Sequence, residues 1–435
     1  MITNHLKINV LLFFTCSILA VSAQQKLSLA DAMGIALKNN YDIRLAQNDA
    51  DISRINNTLG NAGMLPAVQL IGSVNRALNN VNQQLSSGPS NFYPSQNSST
   101  LNAGAELSWT LFDGGKMFVT KSKLDEIQRL GDLQFRAKVL QTQAEVIAAY
   151  YNVVSQKQQL ISINEVINYN RDRVKIIQTG FDHGYYIKSD LFQAQIDLNV
   201  ALENAINQKF AIQLALRNLN LLLAQPTDVN FEVDDSIPLN YNPNRDKLTH
   251  QLLTNNTDIL SLQKQKEIAL LVLKENESLY LPKLNFNAGY IYNKNISSQG
   301  SVLQNQSFGP ELGGTLTIPL YSAGENKRKV AGAKIQLQSA DFQLKNLQLQ
   351  TTTALENALT DFENQRELLH IEQQNHQLTK QNLEISLNRL AQGQTTSIEV
   401  HLAQESFAQS VTRLINFEYN LKMAETNIRR LVAEM

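Results

Sequence analysis

Two stretches of the chain alternate apolar and polar residues with a period of two. Leu284, Phe286, Ala288, Tyr290 and Tyr292 share one face, while Asn285, Asn287, Gly289 and Asn293 share the other. In the same way Val68, Leu70 and Val74 oppose Gln69, Ser73 and Asn75. Leu101, Ala103, Ala105, Leu107, Trp109 and Leu111 oppose Asn102, Glu106, Ser108 and Thr110, and Leu312, Leu316, Ile318 and Leu320 oppose Glu311, Thr315 and Thr317. The alternation predicts strands at about 66–80, 101–112, 282–294 and 311–321, arranged as two hairpins. Strands of about ten residues or slightly more, apolar on one face, suit a tilted crossing of an outer membrane. They also suit hairpins half-buried on a soluble core.

The rest of the chain reads as helix. No Gly or Pro interrupts 132–179, 185–225, 244–281, 333–392 or 394–435. The interval from Ala333 to Gln392 alone would extend about 90 Å as a helix. Within it Leu337, Ala340, Leu344, Leu347, Thr351, Ala354 and Ala358 recur at three-four spacing, a coiled-coil seam that then drifts to Leu355, Leu359, Phe362 and Leu369. Long helices are expected at about 116–179, 189–225, 324–391 and 397–433.

The chain states this plan twice. LKNNYDIRLAQ (37–47) aligns with LTNNTDILSLQ (253–263) at an offset of 216, which also carries Leu65-Pro66 onto Leu281-Pro282. From Leu107 onward the offset is 209: Leu111-Phe112 meets Leu320-Tyr321, Gly115 meets Gly324, Gly184 meets Gly393, and Ala194-Gln195 meets Ala403-Gln404. The first copy therefore carries seven extra residues between Pro66 and Leu107, where SSGPSNFYPSQNSS (86–99) reads as a loop. The expected organisation is a first repeat over 24–225, a connecting strap at 226–244 with three of the nine prolines, and a second repeat over 245–435. Each repeat reads helix, strand, strand, long helix, tip turn, helix.

Composition narrows the setting. A formal charge of −1, 18% charged and 7% aromatic residues give no footprint for nucleic-acid binding. Lys7, the apolar core Val10–Ala20 and the small residues Val21-Ser22-Ala23 read as a secretory signal peptide over residues 1–23. The single cysteine, Cys16, falls inside it and lacks the small-residue context of a lipoprotein signal, so the exported chain is expected to have no disulfide and no lipid anchor. No later apolar run is long enough for a membrane helix, so insertion would have to be by strands. Four strands cannot close a barrel, and long helices need neighbours for their seams, so both features call for an oligomer.

The signal peptide, the duplicated plan, LPAVQL and LPKLNF opening the first strand of each hairpin, WTLFDGG ending the second, and the glycine-tipped turns FDHGYYIKSDLFQAQ and LAQGQTTSIEVHLAQ resemble the TolC family of outer-membrane efflux proteins. The resemblance spans essentially the whole exported chain. It implies an α+β membrane protein: a homotrimer whose copies give four strands each to a twelve-stranded transmembrane β-barrel, continuing into a long periplasmic α-helical coiled-coil tunnel. It further implies a passive exit duct in the outer membrane of a Gram-negative bacterium. Its partners would be a periplasmic adaptor protein, an inner-membrane transporter and outer-membrane lipid, for efflux or type I secretion. The rival reading is a soluble periplasmic coiled-coil scaffold or adaptor, but the compact Gly- and Val-rich β modules of an adaptor are not found.

No enzyme chemistry and no cofactor are expected. The histidines at 183, 250, 370, 376 and 401 do not form a metal-ligand spacing, and Asp113-Gly114-Gly115-Lys116 lacks the rest of a phosphate loop. Asp190 and Glu399, equivalent under the 209 offset, each fall in the first turn after a tip. There a carboxylate stabilises a helix N-terminus by about 0.3–1 kcal/mol. Under the resemblance, Glu399 matches a family position carrying an acid at the tunnel entrance, which makes both acids candidates for the periplasmic gate. Thr395 stands where the family often has a gating arginine, and Leu402 where it has a second acid. The tip residues Gly184, Tyr185, Gly393 and Gln394 are candidates for adaptor docking, or else a plain helix reversal. Gly114, Gly115 and Gly324 are expected to turn sheet into helix, with Trp109 and Leu111 continuing the apolar row and Phe112 leaving it.

Overall fold

A computed structural model describes residues 26–84 and 86–435. The expected signal peptide, with Cys16, lies outside the described residues. The element order is α1 (Leu29–Asn39), α2 (Tyr41–Asn56), β1 (Ala67–Gln83), β2 (Asn91–Asp113), α3 (Lys116–Asp182), α4 (Lys188–Leu222), α5 (Arg245–Asn255), α6 (Thr257–Glu277), β3 (Lys283–Ser297), β4 (Gln304–Thr317), α7 (Glu325–Ala391) and α8 (Ser397–Leu431). The duplication is visible in lengths. α3 and α7 have 67 residues each, α4 and α8 have 35 each, and α1 and α5 have 11 each. None of the described helices is long and apolar enough to cross a membrane.

The chain divides into two units. One comprises Ala36–Ala148, Pro238–Asn375 and Asn416–Met435. It holds a four-stranded antiparallel sheet in the order β1-β2-β3-β4. The register brings the apolar residues of all four strands onto one face: Val68 pairs with Leu107, Leu107 with Ala288, and Ala288 with Leu312. That face is bare. Leu70 is 87% exposed, Leu312 78% and Val68 69%.

The strands depart from the alternation in two places. β2 begins at Asn91, well before Leu101, and β1 runs on to Gln83, because the hairpin ladder continues where polar residues and scattered apolar ones such as Leu78 and Phe92 no longer alternate. β4 starts early, at Gln304, and stops at Thr317 short of 321, since Pro319 has no N–H to give the ladder. A bulge between Thr110 and Phe112 reverses one further expectation. Phe112, not Leu111, pairs with Leu284 and so rejoins the apolar row, while Leu111 occupies the bulge.

The repeated Asn-Asn motif has a local cause. Asn40 Oδ1 accepts from the backbone N–H of Asp42 (2.9 Å) and Ile43 (3.2 Å), and Asn256 Oδ1 does the same for Asp258 and Ile259 at 3.0 Å. Each Asn breaks a helix and caps the next one. Asn256 also donates through Nδ2 to the buried Leu431 carbonyl at 2.8 Å. Asn256→Ala is therefore expected to cost about 1–2 kcal/mol for the cap and more for the orphaned carbonyl. Thermal melts of wild type and the variant at one scan rate measure the loss. On α6 and α7, Asp341 takes Lys266 at 2.6 Å and Lys345 at 2.8 Å, and these bonds lower its carboxyl to about 2. This exposed contact is present at pH above about 4 and is lost as pH falls through about 2.

The other unit comprises Ala149–Ile237 and His376–Ile415 with the chain through Ile35. Its core is Ile177 and the α4 residues Leu191 and Ala194 with Leu383, Leu390, Val400, Ala403 and Phe407 of α7 and α8. Tyr169 meets Phe407 edge-on at 5.7 Å. The strap holds the first described residues: Lys26 pairs with Glu232 through the backbone as a parallel β-bridge, and Leu27 N–H donates to the Glu232 carbonyl at 2.8 Å. The fully buried Tyr150 hydroxyl lies 2.9 Å from the Leu27 carbonyl and from the Asp234 carboxylate, and accepts the Asp234 N–H at 3.1 Å. Burial, with the nearby Asp234 charge, pushes this phenol far above its ordinary range. α4 ends at Leu222 rather than 225. Ala224, with φ 50°, takes the left-handed position usually given to glycine, two residues before Pro226.

Candidate functional site

Both tips are built by the same backbone device. Gly184 (φ 81°) donates its N–H to the Phe181 carbonyl at 2.9 Å while Tyr185 donates to Gly180 at 2.7 Å. Gly393 (φ 69°) donates to Leu390 at 3.0 Å, and Gln394 to Arg389 at 2.8 Å. This paired pattern closes the last turn of α3 and α7 and requires the left-handed residue that glycine supplies. A Cβ on either glycine would meet no atom, so the requirement is conformational only. Tyr185 is 82% exposed.

At the sheet-to-helix junctions Gly114 (φ 73°) and Gly115 (φ 81°) separate β2 from α3, and the Asp113 carboxylate accepts the Met117 N–H at 3.0 Å. Gly114 is held twice over, since a Cβ there would lie 2.7 Å from the Ser278 carbonyl oxygen. In the second copy Ala323 (φ 50°) and Gly324 (φ 74°) do this work.

Two tip residues escaped the sequence reading. A Cβ on Gly180 would lie 2.2 Å from the Tyr186 ring. That close fit seats Tyr186, whose hydroxyl donates to the Leu390 carbonyl at 2.9 Å and so links one tip to the other. Burial, with Asp190 nearby, raises the Tyr186 phenol. The tips border an open groove of about 1380 Å³ whose walls include Tyr169, Tyr186, Asp190, Glu384 and Thr396.

Asp190 and Glu399 both sit in first helical turns, but their surroundings differ. Glu399 takes Arg389 Nη1 at 3.1 Å, and the Thr395 hydroxyl donates to it. Arg389 also donates to the Gln394 carbonyl at 3.1 Å, so it caps the end of α7 as well. Among the described residues Asp190 has no ion-pair partner. The two positions are equivalent in the repeat but differ in their ion-pair partners. Thr395 thus supports Glu399 locally instead of supplying the arginine that the family often places there.

Deeper in this unit lies a second cluster. Arg173, 1% exposed, reaches Asp197 Oδ2 at 2.8 Å, Gln404 Oε1 at 3.1 Å and Ser397 Oγ at 3.0 Å. His401 Nδ1 meets the same Asp197 oxygen at 3.1 Å, and Gln193 donates to the other at 2.8 Å. One guanidinium therefore ties α3 to α4 and α8.

This duplicated plan, with its sheet and glycine-tipped helical pairs, matches the model of the outer membrane efflux protein family over residues 32–225 and 248–434. The chain belongs to that family. The match falls in two blocks that leave out the strap. The TolC-family resemblance holds, and an outer membrane efflux protein is an exit duct rather than a soluble scaffold. Similar proteins include the alkaline protease secretion protein AprF of Pseudomonas aeruginosa, 23% identical over 73% of this chain and 66% of that relative. The proteases secretion protein PrtF of Dickeya chrysanthemi is 22% identical over 94% of this chain and 89% of its own. The crystal structure of the Campylobacter jejuni CmeC outer membrane channel superposes with a TM-score of 0.75 at 18% identity, covering 93% of this chain and 85% of that one.

Proposed function

We propose that three copies of this efflux-family protein close their sheets into one twelve-stranded barrel in the outer membrane, and align their long helices as a periplasmic tunnel. The duct is passive. A periplasmic adaptor joins it to an inner-membrane transporter, as in an efflux pump or secretion system. The observation that carries this reading is the sheet itself. It has an exposed apolar face and two unpaired edges, β1 and β4, a combination that costs several kcal/mol per unpaired group in lipid unless neighbouring copies close it.

The helices support the same reading. On α7 the exposed residues Ile335, Phe342 and Leu349 repeat every seven positions, as do Ile371, Leu378 and Ile385. On α4, Phe192, Ile196 and Val200 form a comparable bare stripe, as do Ile206, Phe210 and Leu214. Seams of this spacing are buried by helices of a second copy. The test is a gel of detergent-extracted outer membrane: a trimer that dissociates on boiling is expected, and recovery as a soluble periplasmic monomer would overturn the reading.

In this duct Asp190 and Glu399 line the periplasmic gate, and Gly184, Tyr185, Gly393 and Gln394 form the surface that meets the adaptor. The ion pair at one acid and not the other makes a specific prediction for planar bilayers. Asp190→Asn lowers cation preference more than Glu399→Gln does, because Arg389 already offsets Glu399. Arg389→Gln raises it. Equal effects of the two acid substitutions would remove the distinction.

A further inference from the structure

The two faces of the sheet differ in charge as well as polarity. Among the described strand residues in register from Ala67 to Asn79 and their partners, the apolar face carries two charged side chains, Arg76 and Lys294. Both are cations. The acids Glu106 and Glu311 stand on the polar face, in one row with Gln69 and Gly289, and Asp113 pairs with Lys283 at its foot.

These cations are confined to one margin of the apolar face. Its rows run from Leu284 and Leu316, beside the helices, to Val74 and Leu101, toward the hairpin loops. From Leu284 to Lys294, which faces Leu101, is about 33 Å along a strand, which a tilt brings near the roughly 25 Å apolar band of a membrane barrel. Lys294 pairs with Leu101 and Gln306 in the row that Val74 begins. Arg76 stands one row further out, with Ser99 beside it, then Ile296, and Gln304 at the far end of the row, and Leu78 follows in the next row. Strand spacing and rise put the two Cα atoms roughly 12 Å apart, within reach of side chains converging on one headgroup. The opposite margin ends in Trp109, Phe112 and Phe286 with no cation.

We infer that the loop-side margin of the apolar face, through Arg76 and Lys294, binds an outer-leaflet lipid bearing phosphate in its headgroup. This rests on the proposal that the sheet lies in an outer membrane. Arginine grips phosphate through two parallel N–H bonds, lysine adds a point charge, and Ser99 and Gln304 offer neutral donors. The acyl chains of the same lipid cover the bare apolar rows below. A cation facing anionic lipid contributes about fivefold in affinity.

The experiment uses the full exported chain folded into phosphatidylcholine vesicles containing a bisphosphorylated glycolipid or its dephosphorylated counterpart. Vesicles are floated, the protein in the floated fraction is extracted, and co-purifying glycolipid is weighed against protein. Wild type is expected to retain the phosphorylated form at least fivefold better. Arg76→Gln with Lys294→Gln is expected to reduce its retention roughly twentyfold. Lys283→Gln, which removes a cation from the polar face, leaves it unchanged. Equal retention of the two glycolipids by wild type, or undiminished retention by the double variant, overturns the lipid contact alone. Protein that never floats overturns the membrane reading and the lipid contact with it.

Discussion

Arginine at Leu312 is expected to cost about 2–4 kcal/mol per copy and to deplete the folded protein from the outer membrane, whereas arginine at Thr315 is tolerated. Leu312 lies in the middle of the apolar rows, opposite Ala288, and is 78% exposed. In lipid its replacement strands a charge near the bilayer midplane. Thr315 belongs to the polar face, opposite Asn285, which in the proposed barrel turns to the water-filled lumen. The pair therefore separates a barrel from a soluble hairpin, because on a soluble protein both sites would be open to water. The measurement is heat-modifiable trimer in membrane fractions for each variant at matched expression. Equal yields of the two would sink the assignment of the faces.

The second large effect belongs to Arg173. Arg173→Met is expected to cost about 3–5 kcal/mol, because Asp197, at 12% side-chain exposure, is left buried without its guanidinium. Combining it with Asp197→Leu is expected to recover most of the loss, since a buried ion pair is worth little against apolar side chains of similar size. The coupling in a double-mutant cycle, read from thermal melts at one fixed scan rate, measures the network directly. A single variant melting with the wild type would show that Arg173 carries no such load.

The sequence made some of this legible and hid the rest, for physical reasons. Alternation marked the strands wherever one face meets an apolar surroundings, so the rows from Val68 to Val74 stood out. It was silent from Asn91 to Thr100, where Phe92 and Tyr93 are neighbours and polar residues follow on both faces, so no period of two forms. Glycine marked the turns at Gly114, Gly184 and Gly393 because the left-handed region selects it, yet alanine occupies the same region at Ala224 and Ala323. Periodicity predicts that a residue is buried but not what it meets. Arg173 draws partners 24 to 231 positions away, and Arg389 reaches Glu399 across a reversal, so neither pairing left a local pattern. The bulge at Leu111 was hidden for a similar reason: register belongs to two strands together.

The matched helices, 67 residues with 67 and 35 with 35, also constrain how such a chain can change its reach. A deletion in one long helix would leave its counterpart overhanging and its tip glycine out of step. Length is therefore a paired variable, and a viable shortening has to remove whole seam repeats from both copies at once. Surface residues can drift one at a time, whereas the span can move only by coordinated jumps.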